Sequence, residues 1–394
     1  MAGQFPPALS FATAHHRGQQ RAKPWCSLAS CLASRAMRVL IVRLGAFGDI
    51  IHTLPLAADL HRAGHSVSWV CEDRWACVLQ DNPAIHQVHQ LPRKALRNAP
   101  LIQRLLLVRR LTRELRACNY DVVIDAQGLA KSALIAATSG AGRSIGHARP
   151  RSREGAWLVN DRCIPAVAEH VIDQQRALGL PLLCGKNPQK ATGGWTFPLP
   201  AWNTQRKWAV EWLSAQGLDP RYGARALMLN VGAGWPTKVW PQERQIALAQ
   251  ICAARGLPLV LLWGSPAEHD LARAIVAACP ATRLAPSTTI PQLAGLIAQA
   301  GVLISGDTGP LHLGLALGVP AVGLFGPVPA TRNGPRGRDY RTLQAPGAAW
   351  ERKDVTKVNM GALSAEAVLE QALAVTLTLS HSIVSTANTN TSVT

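Results

Sequence analysis

The stretch "RVLIVRLGAFGDIIH", residues 38–52, decides how the first half of the chain folds. An apolar run leads into a turn that contains Gly45 and Gly48, and the start of a helix follows. This order predicts a buried strand, a tight turn and a helix, which is the first unit of an α/β sheet. The turn matches neither the G-x-G-x-x-G fingerprint nor the P-loop. The chemistry of this loop therefore depends on what Asp49 faces.

The alternation of strands and helices continues along the chain and then restarts. Candidate strands of the first half are residues 38–43, 66–71, 85–91 and 121–126, with helices such as 50–62 and 101–117 between them. Candidate strands of the second half are residues 226–231, 258–263, 301–305 and 320–325. Short apolar strands that alternate with helices are typical of parallel sheets covered on both faces. We predict two Rossmann-like domains, with the active site in the cleft between them.

Composition shifts suggest where the domains end. We expect a first domain over residues 37–185, a linker over 186–206, a second domain over 207–378 and a flexible tail over 379–394. Residues 1–36 carry four basic residues and no acid, and we interpret them as a disordered or misassigned extension. The alternative is a basic targeting peptide.

Charge and cysteine content narrow the class of protein. The chain has 394 residues, 48% of them hydrophobic, which is enough for two cores. Its net charge of +18 indicates acidic partners: phosphates, anionic lipids or nucleic acid. The nine cysteines form no C-x-x-C pair, which argues against a disulfide framework or a zinc site and favours a reducing compartment. No run approaches the roughly 18 apolar residues of a membrane span.

Asp49 has two interpretations. It can cap the helix that follows the turn, a position that Asp often fills. It can also act as a general base, because a helix N-terminus favours the carboxylate form at neutral pH. The two roles are compatible.

The stretch "GDTGPLHLGLALGVP" predicts a phosphate site at a second strand-to-helix turn. Asp307 or Thr308 can cap the helix, and Pro310 suits its first turn. The free N–H groups of such a helix end, including that of Gly309, can bind a phosphate, and His312 can donate a further hydrogen bond. The alternative is a well-capped core helix.

Two loops of the second half supply further candidates. In "NVGAGWPTKVWP", Lys238 lies between Trp235 and Trp240 and can neutralise a diphosphate. In "LLWGSPAEHD", Glu268 can accept a hydrogen bond from ribose hydroxyls, or it can simply be an acid at a helix start.

A basic belt in the first half indicates that this half receives an anionic partner. Aromatic residues are absent between Arg93 and Arg116, which disfavours a stacking platform for single-stranded nucleic acid. On the helix 101–117, Leu101, Leu105, Val108 and Leu115 form an apolar stripe. The belt consists of Arg93, Lys94, Arg97, Arg104, Arg109, Arg110, Arg113 and Arg116, together with Lys131, Arg149, Arg151 and Arg153.

Several motifs together resemble the lipopolysaccharide heptosyltransferases, heptosyltransferase I in particular. They are "MRVLIVRLGAFGDIIHTLP", "YDVVIDAQGLAKSALI", "TKVWP", "LLWGSPAE" and "GDTGPLHLGLALGVPAVGLFGP", and the likeness extends from about residue 37 to 374. The resemblance implies the GT-B fold, with the donor bound mainly by the second domain and the acceptor by the first. It implies inverting, metal-independent transfer of heptose from ADP-L-glycero-β-D-manno-heptose to the Kdo inner core of lipid A. ADP-heptose is then a substrate, and no cofactor is expected.

The same resemblance assigns roles to individual residues. Asp49 matches the general base, and Lys238 matches the lysine that neutralises the departing ADP. This chain has Ala233 and Gly234 where familiar members carry paired hydroxyl residues, so backbone N–H groups would replace those contacts. The donor residues implied are Ala233, Gly234, Lys238, Glu268, Thr288, Asp307, Thr308, Gly309 and His312. The acceptor residues implied are Arg93, Lys94, Arg97, Lys131 and Arg153.

The resemblance also implies a cytoplasmic enzyme that associates peripherally with the inner membrane, where its anionic glycolipid acceptor lies. One alternative is heptosyltransferase II or a related GT-B transferase that uses another nucleotide sugar. An epimerase of the same fold and a non-enzymatic basic nucleic-acid-binding protein are more remote alternatives. The stretch "TRNGPRG", residues 331–337, has no assigned role, and the oligomeric state stays open.

Overall fold

The computed structural model describes residues 35–183, 194–220 and 226–375, and they form two parallel sheets. The first sheet consists of β1 (Arg38–Val42), β2 (Ser66–Glu72), β3 (Gln87–Leu91), β4 (Val122–Asp125), β5 (Arg143–His147) and β6 (Arg162–Ile164). The second consists of β7 (Leu227–Asn230), β8 (Leu259–Leu262), β9 (Arg283–Leu284), β10 (Val302–Gly306), β11 (Ala321–Phe325) and β12 (Tyr340–Gln344).

Both sheets have the same doubly wound topology. The first runs β3-β2-β1-β4-β5-β6, and the second runs β9-β8-β7-β10-β11-β12. In each sheet the strand order reverses between the first and the fourth strand, which is where open α/β sheets bind ligands. The predicted α/β architecture of two Rossmann-like domains is confirmed.

Helices connect the strands. In the first half they are α1 (Phe47–Arg62), α2 (Arg93–Asn98), α3 (Leu101–Ala117), α4 (Ala130–Thr138) and α5 (Val171–Ala177). The later ones are α6 (Asn203–Ala215), α7 (Gln242–Ala254), α8 (Pro266–Ala278), α9 (Ile290–Ile297), α10 (Gly309–Ala316), α11 (Ala330–Asn333) and α12 (residues 365–375). No helix in the described part of the chain is long and apolar enough to cross a membrane.

The eight predicted strands are all present, and four further strands lie toward the edges. Strands β1, β7 and β10 are buried at nearly every position, as their apolar sequences require. The strands that periodicity missed, β5, β6, β9 and β12, are short and carry Arg, His, Ser or Gln. Polar residues interrupt the apolar run by which a buried strand is found, so these sequences give little signal, although β5 is buried at four of its five positions.

Helix α1 begins at Phe47, three residues earlier than an N-cap at Asp49 would place it. Its N-cap is Ala46, whose side chain cannot accept a hydrogen bond. Asp49 Oδ2 accepts the Ala46 N–H instead, at 3.3 Å. The carboxylate therefore satisfies one of the free donors at this helix end from within the first turn.

The apolar stripe expected on α3 is buried only in the second half of the helix. Leu115 is 1% exposed and Leu111 is also buried, but Leu101 is 71% and Leu105 56% exposed. The side chains that cover the second half of α3 do not reach its first half, which therefore stays exposed.

The domains touch where two helices begin. A Cβ atom at Gly48 would lie 2.7 Å from His312 Cδ2, and one at Gly309 would overlap the ring of Phe47. Glycine at both positions thus permits close contact between the first turns of α1 and α10. The two sheets lie within the ranges 37–185 and 207–378. The boundaries stay a prediction, and residues 1–34, 184–193, 221–225 and 376–394 lie outside the described residues.

Candidate active site

A cavity of about 870 Å³ lies between the two domains, at the carboxyl ends of both sheets. Residues of both domains line it, so each sheet contributes the loops that follow its central strands. Of the residues predicted from the sequence, the lining contains Asp49, Arg153, Gly234, Lys238, Asp307, Thr308, Gly309 and His312.

The first domain presents Asp49 to this cavity. Arg43, which follows β1, makes an ion pair with Asp49 Oδ2 and donates from Nη1 to the Ala126 carbonyl at 2.8 Å. The Arg43 side chain is 5% exposed, whereas that of Asp49 is 40% exposed. Both described contacts of Asp49 use Oδ2, so Oδ1 can accept a proton from a bound ligand.

Opposing effects set the pKa of Asp49. Enclosure in the cleft raises the pKa, but the charges of Arg43 and Arg151 and the Ala46 N–H lower it more. The net pKa lies below the ordinary value of an aspartate. The group is therefore a carboxylate at neutral pH and can accept a proton.

The second domain presents a buried cluster built around Asp307. Lys238 Nζ donates to Asp307 Oδ2 at 2.6 Å and to the Asp307 carbonyl at 3.2 Å. His312 Nε2 lies 3.2 Å from Asp307 Oδ1. The Lys238 ammonium also lies 4.3 Å from the ring centroid of Trp235. Lys238 is thus held in one position, with the aliphatic part of its side chain enclosed.

Asp307 is ionised in this cluster. Burial raises its pKa, but the hydrogen bond and charge of His312 and the charge of Lys238 lower it well below the ordinary value. Its side chain is 1% exposed, so the negative charge depends on these partners.

Helix α10 begins beside this cluster. Thr308 is its N-cap but makes no side-chain capping bond, and Gly309 is its first residue. The first N–H groups of α10 are thus left to a ligand, which favours an anion. These N–H groups are compatible with the phosphate site predicted from the sequence, which stays a prediction.

Arg332 and Asn333 reach the cavity from α11, which overlaps the stretch 331–337 to which sequence reasoning assigned no role. Asn333 Nδ2 lies 3.4 Å from both oxygens of Asp307, and Arg332 Nη1 donates to Asn333 Oδ1 at 2.7 Å. Burial lowers the pKa of Arg332, and the charges of Asp49 and Asp307 raise it. Arg332 therefore lines the cavity together with the acids of the two domains and interacts with the charge of each.

Four side chains of the cavity carry buried nitrogen atoms without a hydrogen-bond partner among the described residues. They are Nε of Arg43 and Arg151, both ring nitrogens of His52, and Nδ1 of His312. Unsatisfied buried donors and acceptors in a polar cavity are groups that a ligand or water can satisfy. Sequence reasoning did not single out His52, although it lies one helical turn after Asp49.

The cavity is strongly cationic. Its described lining carries seven cations, Arg43, Arg149, Arg151, Arg153, Lys238, Arg332 and Arg352, and two acids, Asp49 and Asp307. Burial and the Arg43 charge lower the pKa of Arg151 to about 10, so it stays charged at neutral pH. Such a lining fits a substrate with several negative charges.

Three predicted donor residues lie outside the cavity lining. The Glu268 carboxylate accepts the N–H groups of Gly264, at 2.7 Å, and Ser265, at 3.1 Å, so it is an acid at a helix start. Ala233 follows a glycine that packs against the Glu268 side chain. Thr288 is half-buried in the loop before α9.

The predicted acceptor residues divide into three groups. Arg153 lines the cavity. Arg93 Nε lies 3.5 Å and Lys131 Nζ 3.6 Å from the carboxylate of Glu72, which ends β2. Lys94 and Arg97 are exposed on α2. The last four residues lie at the cleft edge of the first sheet but do not line the cavity, so their role stays a prediction.

This arrangement suits a displacement reaction. A base on one side can take a proton from an attacking hydroxyl, while cations and helix N–H groups on the other side stabilise a leaving anion. Among residues 35–183, 194–220 and 226–375, no three His, Cys, Asp or Glu side chains are grouped so as to hold a metal ion.

Comparisons with known proteins find close counterparts. A family model described as glycosyltransferase family 9 (heptosyltransferase) matches residues 108–361. Lipopolysaccharide heptosyltransferase 1 of Pseudomonas aeruginosa is 33% identical over 307 residues, which are 77% of this chain and 82% of that protein. Two solved structures of E. coli heptosyltransferase WaaC, with ADP and with ADP-2-deoxy-2-fluoro heptose, have TM-scores of 0.68 and 0.66. Both are 26% identical and cover 85% of this chain and 98% of their own.

Proposed function

This chain belongs to glycosyltransferase family 9, the heptosyltransferases, and on that premise we propose that it transfers heptose from ADP-heptose to the inner core of lipopolysaccharide. The family predicted from the motifs is thereby confirmed, and the chain is a glycosyltransferase. One observation supports the specific reaction most directly. Asp49 of the first domain and the cluster of Lys238, Asp307 and His312 with the start of α10 line one cavity.

The roles of these groups follow from their chemistry. Asp49 takes the proton of the acceptor hydroxyl, which then attacks the anomeric carbon from the face opposite the leaving group. Lys238 and the N–H groups of α10 stabilise the diphosphate that departs. Asp307 and Trp235 hold the Lys238 ammonium in place. A single displacement from the face opposite the leaving group inverts the configuration at the anomeric carbon.

The acceptor we propose is the Kdo inner core of lipid A. Its carboxylates and phosphates match the cations that the first domain adds to the cavity, Arg43, Arg151 and Arg153. Since this acceptor is a glycolipid, the enzyme would work at the cytoplasmic face of the inner membrane. The donor ADP-L-glycero-β-D-manno-heptose would be a substrate, and no cofactor enters this scheme.

The test is a transfer assay with the purified chain. ADP-heptose and Kdo-lipid A should give a product one heptose heavier by mass spectrometry. Turnover only with a UDP- or GDP-sugar would overturn the donor, and turnover only with an already heptosylated acceptor would favour heptosyltransferase II. Conversion of a nucleotide sugar without an acceptor would indicate an epimerase.

We expect Arg43 to set the pH range of the reaction. Wild-type kcat/KM should lose activity on acidification only below the ordinary aspartate pKa of about 3.9, because the pKa of Asp49 is lowered. In Arg43→Met, enclosure in the cleft still raises the pKa of Asp49, but the Arg43 charge that lowers this pKa is gone. The acid limb of the profile should therefore move to higher pH.

The matched control is Arg38→Met, since Arg38 is exposed at the opposite end of β1. Its profile between pH 4 and pH 8 should equal that of the wild type. An unchanged acid limb in Arg43→Met would refute this role of Arg43 and weaken the assignment of Asp49 as the base.

Arg332 should contribute to substrate binding, because it is a half-buried cation in the lining of the cavity that also contains Asp49 and Asp307. Arg332→Met is expected to lower kcat/KM on the order of 10- to 100-fold, the usual value of a hydrogen bond to a charged group. Arg338→Met is the control, since Arg338 is exposed in the same loop. Steady-state kinetics with each substrate varied would show which substrate Arg332 contacts. Equal kinetics of the two variants would exclude Arg332 from the site.

A further inference from the structure

The first half of α3 exposes four large aliphatic side chains. Leu101 and Ile102 are 71% and 73% exposed, and Leu105 and Leu106 are 56% and 59% exposed. In a helix of 3.6 residues per turn, these positions share one side. Exposed apolar residues in one contiguous patch mark a surface that another body covers. We refer to these four residues as the apolar tip.

Arginines follow the apolar tip along the same side of the helix. Arg109 and Arg110 lie one turn beyond Leu105 and Leu106, and Arg113 lies one turn further. All three arginines are exposed. The acid of this helix, Glu114, has its Oε1 2.5 Å from His89 Nδ1. The N-terminal half of α3 thus exposes apolar side chains, and the residues that follow expose positive charge.

The position of α3 in the fold directs the apolar tip toward the cleft side. Helices α2 and α3 follow β3 and precede β4, which is parallel to the other strands of its sheet. A helix between parallel strands begins near their carboxyl ends and runs back. The exposed half of α3 therefore lies at the sheet edge that forms the cavity, and α2 adds Arg93, Lys94 and Arg97 there.

We propose that the apolar tip inserts into the surface of an anionic phospholipid bilayer, with Arg109, Arg110 and Arg113 at the level of the lipid phosphates. Helices with an apolar side and arginines bind membrane interfaces in this way, because apolar burial and charge attraction add. A second copy of this chain is a poorer partner, since each copy carries a net charge of +18. Nucleic acid would offer phosphates but nothing to cover four aliphatic side chains.

This inference names the partner of the site and rests on the proposed function, which gives the enzyme a lipid-linked acceptor. Docking at the cleft edge would keep the acyl chains in the bilayer while the sugars enter the cavity.

The test is flotation of the full chain with vesicles that contain no acceptor sugar. Vesicles of phosphatidylethanolamine and phosphatidylglycerol should bind it, and phosphatidylcholine vesicles should bind it much less. Changing Leu101, Ile102, Leu105 and Leu106 together to Ser should weaken binding on the order of tenfold or more. Arg109→Gln with Arg113→Gln should weaken it about fivefold per charge at low salt.

Controls come from exposed residues of the second domain. Val355→Ser removes an aliphatic side chain that is 54% exposed, and Arg255→Gln with Arg273→Gln removes two exposed charges. Both should bind vesicles like the wild type. Circular dichroism should show the wild-type thermal transition for all variants, because every changed side chain is exposed.

Unchanged vesicle binding in both α3 variants would overturn the proposal. So would a wild-type dimer, seen by sedimentation, that the serine variant converts to a monomer. Transfer to a soluble, deacylated acceptor tests the proposed function separately, and the serine variant should keep wild-type kcat there. If the wild type lacks that activity, the proposed function is wrong. Vesicle binding still tests, independently, whether the apolar tip binds membranes.

Discussion

Asp49→Asn is expected to lower kcat by ~10²–10⁴-fold, the contribution of a general base. Asparagine keeps the shape of the side chain and can accept a hydrogen bond, but it cannot take a proton at neutral pH. Binding of ADP should stay near the wild-type value, because the donor site that we propose lies in the second domain. Single-turnover kinetics and calorimetric titration with ADP measure the two quantities.

Asp49 also stabilises the local fold, so the experiment has to separate this structural role from the role as a general base. The carboxylate pairs with Arg43 and accepts the Ala46 N–H, and asparagine weakens both contacts. Asp49→Glu is the matched variant, since it keeps the charge but moves the carboxylate. It should recover part of the rate lost in Asp49→Asn. If Asp49→Asn turns over at nearly the wild-type rate, Asp49 serves the helix end alone.

Lys238→Met is expected to weaken ADP binding and to lower kcat. The leaving diphosphate gains charge in the transition state, so loss of the ammonium costs more there than in the ground state. Removing one donor of this kind typically costs on the order of 10²–10³-fold in kcat. Kinetics with varied donor concentration separate the effect on KM from the effect on kcat.

The same substitution should also destabilise the fold. It leaves the buried Asp307 carboxylate with one partner fewer, and breaking a buried ion pair costs up to about 3–5 kcal/mol. The double variant Lys238→Met with Asp307→Asn removes both charges. It should regain most of the lost stability in urea unfolding but none of the lost activity. Recovery of both together would mean that Lys238 acts only through the fold.

The sequence predicted the fold class because the central strands are continuously apolar. It predicted Asp49, Lys238 and His312 because each lies shortly after a central strand, near a glycine-containing turn, where parallel sheets place ligands. The family resemblance supplied the chemistry that these positions carry. Local pattern and overall topology agree at these residues.

Other site residues could not be predicted from local pattern. Arg43 follows a strand, where an arginine is usually solvated, and its burial depends on Asp49 and the Ala126 carbonyl. The role of Arg332 depends on the position of α11 beside Asp307. The stripe on α3 had the correct period, but its first half lies beyond the residues that could bury it. In all three cases tertiary packing determines which side chains are buried or brought into the site. The spacing of residues along the sequence does not contain this information.

The glycine contact between the two domains has a mechanical consequence. With no side chain at Gly48 or Gly309, the first turns of α1 and α10 bear directly on each other. Any opening motion that keeps this contact is a rotation about it. Groups next to the pivot then move little, whereas lining residues far from it, at the cavity rim, move more. A bulky substrate can therefore enter across the rim while Asp49 and His312 keep their separation.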